Sequence, residues 1–262
     1  MKKILLATVA LTALSIAAPA LAADMAPAYT KAPPMAPMAV YNWTGFYIGG
    51  HIGGGWADQG SVELDPGTGA FPTGTVFTGK NLSGFLGGVQ GGYNWQVNNI
   101  VLGVEGEYTW ADLEGSATTV STVPRLLGFS AISSAKLQDI ALVTGRLGYA
   151  ANNWLFYFKG GGAWGQGKSF SVNNNANGTL FDTTSSSTDR SGWVVGVGAE
   201  WGFAPNWSAK IEYNYIDFGS SNVTLNSSLN TQSFVSSSET VNIVKAGVNY
   251  RFNWGGPAVA NY

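Results

Sequence analysis

The chain contains no cysteine. That excludes a disulfide framework, a thiolate metal site and a lipid-attachment cysteine. Charge is also scarce, at 11% of residues. Removing Lys2 and Lys3 with a leader takes the 13 basic residues to 11 against 15 acidic ones, a net charge of −4. No basic cluster is present to follow a phosphate backbone, so no nucleic-acid partner is expected. Beyond the first 20 or so residues there is no run of about 18 apolar residues, which excludes helical membrane spans. A single histidine, His51, leaves little for metal or acid-base chemistry.

What is present is glycine, 36 residues, with 13% aromatics and abundant Ser, Thr and Asn. Glycine costs about 1 kcal/mol in a helix interior relative to alanine, so long helices are disfavoured. The opening residues carry two lysines, an apolar stretch and Pro19-Ala20-Leu21-Ala22, a small-residue cleavage pattern. Residues 1–22 are therefore expected to be a Sec-type signal peptide, leading out of the cytoplasm. An Ala/Pro-rich linker is expected over 23–42, then a barrel over 43–252 and a tail over 253–262.

From Trp43 onward apolar and polar residues alternate with period two, and eight segments can be marked. They run over 43–56, 83–97, 100–113, 136–150, 154–169, 187–203, 207–218 and 239–252. Their connections alternate between short and long. Asn98-Asn99, Ala151-Asn152-Asn153 and Ala204-Pro205-Asn206 carry tight-turn chemistry. The links near 57–82, 114–135, 170–186 and 219–238 are long and rich in Gly, Ser, Thr and Asn. This asymmetry predicts an all-β fold, an eight-stranded antiparallel transmembrane β-barrel with short periplasmic turns and four long extracellular loops.

Parity assigns the faces. Ile100, Leu102, Val104, Tyr108 and Trp110 oppose Glu105, Glu107 and Thr109, and similar alternation recurs in segments six, seven and eight. An Arg or Lys facing mid-bilayer lipid costs about 2 to 4 kcal/mol, so the charged parity is expected inside. The lumen would then hold Glu105, Glu107, Glu200 and Glu212 with Arg146, Lys159, Lys210, Lys245 and Arg251 as a mutually paired network. Tyr47 and His51 are expected there as polar residues, with glycines such as Gly88, Gly92 and Gly161 making room for long neighbours. A barrel of eight strands is just wide enough to be filled by side chains, so no wide pore is expected. Trp43, Trp56, Trp95, Trp110, Trp154, Trp164, Trp193, Trp201 and Trp207 are expected in two interfacial girdles. Segment four fits least well, because Ile140 and Leu142 share the parity of Arg146.

The stretch 162–169 (GAWGQGKS) matches the phosphate-cradling pattern G-x-x-x-x-G-K-S, and Gly160, Gly162 and Gly165 match G-x-G-x-x-G. Both patterns need a following helix, whereas Phe170-Ser171-Val172 and an Asn- and Ser-rich stretch follow. No cofactor is expected. His51 has no second His, no Cys and no Ser-His-carboxylate spacing beside it, so it reads as a hydrogen-bonding residue and no catalytic role is assigned. Apolar residues in the long links, among them Phe71, Leu126, Leu127 and Phe129, read either as contact points for a host or small-molecule ligand or as packing over the barrel mouth.

Three passages carry a resemblance: Asn42-Trp43-Thr44-Gly45-Phe46-Tyr47-Ile48-Gly49-Gly50, Gly145-Arg146-Leu147-Gly148-Tyr149, and Lys245-Ala246-Gly247-Val248-Asn249-Tyr250-Arg251-Phe252. With them the sequence resembles the alphaproteobacterial family of small, surface-exposed, immunogenic outer-membrane proteins with an OmpA-like, porin-like barrel. The resemblance implies residence in the outer-membrane lipid and insertion by the outer-membrane machinery through the aromatic end of the last strand, here Tyr250 and Phe252. Asn253 to Tyr262 follow Phe252, so that signal would be internal. Some members bind haemin, a property of loops that cannot be matched residue by residue here. The expectation is a non-enzymatic surface protein with a narrow, charge-filled lumen. The alternatives are a small-solute channel and a loop-mediated receptor or adhesin.

Overall fold

A computed structural model describes residues 41–65, 76–120, 128, 130–174, 177–227 and 232–252. The leader, all of the linker but its last two residues, the tail, and Phe71, Leu126, Leu127 and Phe129 lie outside the described residues. The strands are β1 (Gly45–Asp65), β2 (Val76–Val97), β3 (Ile100–Val120), β4 (Ser130–Ala151), β5 (Trp154–Asn174), β6 (Leu180–Ala204), β7 (Trp207–Ser227) and β8 (Gln232–Phe252). Each pairs antiparallel with the next, and β1 pairs with β8, so the sheet closes as a barrel. Closure leaves no free edge, the condition for crossing a bilayer with strands.

The three short links are all two-residue turns: Val97 pairs with Ile100, Ala151 with Trp154, and Ala204 with Trp207. Asn98 and Asn152 open the first two with φ of 54°. Asparagine tolerates this left-handed conformation because its short amide can hydrogen-bond the local backbone. In the third, Pro205 stands at the position where a φ near −65° is wanted.

The strands are longer than the alternation suggests, at 21 to 25 residues each. Much of what reads as loop in the sequence, such as 57–65, 114–120 and 170–174, continues the ladder. Serine and threonine, which recur in the extensions and fill 183–188, are as compatible with a solvated strand as with a loop. The apolar outer face covers only part of this length. Exposed apolar and aromatic side chains mark a lipid-facing band over 46–56, 85–97, 100–110, 143–149, 154–164, 193–203, 207–215 and 244–252. About ten residues rising ~3.3 Å each, tilted ~40°, span ~25 Å, the height of an outer-membrane apolar band.

Eight of the nine tryptophans assigned to the girdles are half exposed on the outer face. Trp95, Trp154, Trp201 and Trp207 sit toward the short turns, and Trp56, Trp110, Trp164 and Trp193 at the opposite margin. Trp43 is the exception and corrects the expectation. It is 2% exposed and packs inside the periplasmic mouth with Tyr41, Val101, Ala150, Leu155 and Tyr157. Its parity is that of Tyr47, which places it on the lumen side.

Candidate functional site

The interior is stacked in layers, and the site is best built from the periplasmic end upward. At the bottom, Trp43 donates its backbone N–H to Gln96 Oε1 at 2.7 Å, which ties the segment before β1 to β2. The Arg251 guanidinium lies 4.3 Å from the Tyr41 ring centroid and donates to the Pro205 carbonyl at 2.8 Å. Among the described residues Arg251 therefore makes no ion pair with a carboxylate, contrary to the expected nine-member network. Parity puts it inside, but it stands one residue from the end of β8, where the interior groups within reach are the Tyr41 ring and a turn carbonyl.

Above this floor the remaining eight charges meet, four acids and four bases. Lys159 Nζ lies 2.7 Å from Glu212, 3.2 Å from Glu105 and 3.4 Å from Glu107. Lys210 Nζ lies 3.2 Å from Glu105 and 3.5 Å from Glu212. Lys245 contacts Glu107 closely and Glu212 at 2.9 Å. Arg146 reaches Glu200 at 3.3 Å and Glu105 at 3.9 Å. Its guanidinium lies between the Tyr47 and Tyr157 rings, 4.7 and 5.1 Å from their centroids. The eight residues come from β3, β4, β5, β6, β7 and β8, so the lattice ties together strands that are not neighbours.

Neutral donors complete the acids. Tyr47 donates to Glu105 and Tyr157 to Glu212, each at 2.8 Å. Ser208 and Asn249 donate to Glu200 at 2.5 and 2.9 Å. His51 is held on both nitrogens, by Gln90 at 2.5 Å and Thr109 at 3.0 Å, with Glu107 at 3.7 Å. Two glycines make space for these rings. A Cβ at Gly88 would lie 2.7 Å from the His51 ring, and one at Gly92 2.5 Å from the Tyr47 hydroxyl. Tyr157 escaped the sequence reading because it carries no charge, although it shares the parity of Lys159 and faces Gly198.

Oxygens of Glu105, Glu107 and Glu212 lie within 4.8 Å of one another, close enough to hold a metal ion. Three ammonium groups already occupy that space, and each carboxylate has its charge balanced by them. A divalent cation would have to displace lysines whose side chains are fully buried among these acids, so the donor set does not fit a metal centre.

Above the lattice the interior becomes apolar, which the sequence reading did not anticipate. Leu86, Leu113, Leu137, Ile140, Leu142, Val194, Ile216, Phe218, Val241 and Ile243 are all buried and belong to one cluster. This resolves the conflict in β4. Ile140 and Leu142 do share the parity of Arg146, and all three face inward, while Val143 and Leu147 face lipid. A register shift between Leu137 and Asp139 then brings Leu137 inward as well. Beyond this belt, and outside the lipid-facing band, lies a second buried polar group: Gln59, Lys80, Arg190, Ser237 and Glu239.

Tyr250 and Phe252, the expected insertion signal, lie at the periplasmic end of β8, on the parity of the lipid-facing Val244 and Val248. Tyr250 packs edge-on against Trp207 and Phe252, with centroids 5.1 Å apart in each case. A family model described as outer membrane protein beta-barrel domain matches residues 7–252. The chain belongs to this family of outer-membrane β-barrel proteins. It is 35% identical over 258 residues to the 31 kDa outer-membrane immunogenic protein of Brucella melitensis, covering 96% of this chain and all of that one. It is 29% identical to a 22 kDa outer membrane protein of Rhizobium leguminosarum bv. viciae, over 80% of this chain and 79% of that one. The outer membrane is accordingly its location. Among solved structures, Neisserial surface protein A matches with a TM-score of 0.34 and 16% identity, covering 80% of this chain and 98% of that one.

Proposed function

We propose that this outer-membrane barrel is a non-enzymatic structural and surface-displayed protein whose lumen does not conduct. The observation that carries the reading is the succession of two unlike barriers in one narrow interior. A hydrated ion entering the lattice would meet charges already paired to one another. Leaving it, the ion would meet an apolar belt in which its hydration shell has no replacement. Tyr41 and Trp43 add a third obstruction at the periplasmic mouth. Residence in outer-membrane lipid and insertion through the Tyr250-Phe252 end of β8 belong to the same proposal.

Planar-bilayer recording on the purified full-length protein tests it. The expected result is a silent bilayer, with the heat-modifiable gel shift of a folded barrel in the same preparation. Sustained openings that change in Glu105→Gln would overturn the closed-lumen reading and favour a small-solute channel. A surface-receptor reading has one observation of its own: a groove of about 820 Å³ on the barrel extension, lined by Glu114, Lys136, Lys168, Phe170 and Ser185 among others.

A further inference from the structure

The polar group above the apolar belt is built differently from the lattice below it. Gln59, Lys80 and Glu239 form one cross-strand row on β1, β2 and β8, since Gln59 pairs with both of the others. Arg190 enters from β6. Its Nη1 lies 3.2 Å from Glu239 Oε2, and its Nη2 donates to Ser237 at 3.1 Å. Gln59 donates to the same Glu239 oxygen at 3.1 Å. The lattice has four acids for four bases; here, among the described side chains, two cations stand near one carboxylate, which pairs with Arg190.

The hydrogen bonding is unfinished in the same place. Arg190 is 6% exposed; its Nη1 faces Glu239 as an ion pair without hydrogen-bond geometry, and its Nε has no acceptor among the described residues. A guanidinium presents its N–H groups as a planar fork that matches the two oxygens of a carboxylate or phosphate. Buried donors without acceptors are costly, and an anion would satisfy them. Burial, then the neighbouring Arg190, pushes the Lys80 ammonium below its ordinary range, and burial pushes the Glu239 carboxyl up despite Arg190. The Lys80 direction carries the repulsion of a second cation nearby, whereas the Glu239 direction reports burial alone, which outweighs Arg190.

The backbone is also particular at this level. The group lies outward of the belt and beyond the lipid-facing band. The β6–β7 ladder is irregular between Ser185 and Trp193, the stretch that carries Arg190. The β1–β2 ladder shifts register between Gln59 and Ser61, beside Lys80. Such irregularities tend to re-aim side chains next to functional sites.

We propose that Arg190 and Lys80 form a binding site for a small oxyanion, a carboxylate or phosphate group, in the extracellular part of the barrel. The Arg190 Nε–H donates to one of its oxygens, Lys80 supplies the second charge, and Ser237 and the Gln59 amide border the site. Glu239 holds the guanidinium through Nη1.

Solution NMR of the full chain in zwitterionic-lipid nanodiscs, following the Arg190 Nε–H resonance during titration with sodium phosphate at constant ionic strength, tests the proposal. A saturable shift is expected. In the Lys80→Gln variant the half-saturation point should rise about tenfold, the effect of losing one charge-assisted contact. Arg190→Gln should abolish phosphate-dependent shifts in the neighbouring Ser237 and Gln59 amides. A second set of discs containing an anionic phospholipid separates the sources: a bound-state shift there without added phosphate identifies a lipid headgroup as the anion. No saturable shift in either disc, or an unchanged half-saturation point in Lys80→Gln, overturns the site.

Discussion

Glu212 is the residue on which most of the lattice converges. It meets Lys159, Lys210 and Lys245 and accepts from Tyr157 and Asn214. Neutralising it by Glu212→Gln leaves three buried ammonium groups with a reduced set of acids, a change worth about 3–5 kcal/mol where a buried pair is broken from one side. The unfolding midpoint in lipid vesicles should fall accordingly. Lys136→Gln is the contrast. Lys136 bridges Asp112 and Glu114 at 2.5 and 2.6 Å but on the solvated outer face. Its loss should leave the midpoint where it is, because water and salt screen such pairs. Gly198 gives a third test at this scale. A Cβ there would enter the Tyr157 ring, so Gly198→Ala should destabilise by about 1–3 kcal/mol, and combined with Tyr157→Ala the total loss should be less than the sum of the two separate losses.

At the scale of the strand and its turn, faces were legible in the sequence and heights were not. Alternation puts Glu105, Glu107 and Thr109 on one side of β3 and Val104, Tyr108 and Trp110 on the other, and the burial of β3 follows it residue by residue. Where both faces are apolar the same signal goes silent. Leu142 and Val143 look alike as letters, yet one is 1% exposed in the belt and the other 59% exposed to lipid. Parity also carries no information on how far along the axis a side chain sits, which is why Arg251 reads as a lattice member and is found beside Tyr41. The strand extensions were illegible for a related reason, since Ser- and Thr-rich sequence is common to loops and solvated ladders. The turns are testable directly. Asn98→Ala places a Cβ without a compensating amide at a φ of 54°, and should slow refolding into lipid and cost about 1 kcal/mol, while Asn98→Gly should be neutral.

At the scale of the whole barrel, the outer and inner surfaces answer to different solvents. Val195→Lys, on the outer face, sets a charge against lipid and should destabilise by about 2–4 kcal/mol if it lies near the bilayer midplane, less toward a margin. The internal charges respond in the opposite way to their medium. Because the lattice residues are at most 7% exposed, bulk ions do not reach them. Urea unfolding midpoints measured at low and high salt should therefore nearly coincide. A strong salt dependence would indicate that water and ions penetrate the lumen, and would bear on the conductance experiment as well.

The ladder that rises past the upper tryptophans has a consequence for change over time. The links between hairpins on that side begin well above the lipid, on a scaffold already closed by its own backbone hydrogen bonds. Residues seen from outside the cell are thereby separated from those that make the protein fold. A link can lengthen, shorten or alter its charge without touching the register, the belt or the lattice beneath it.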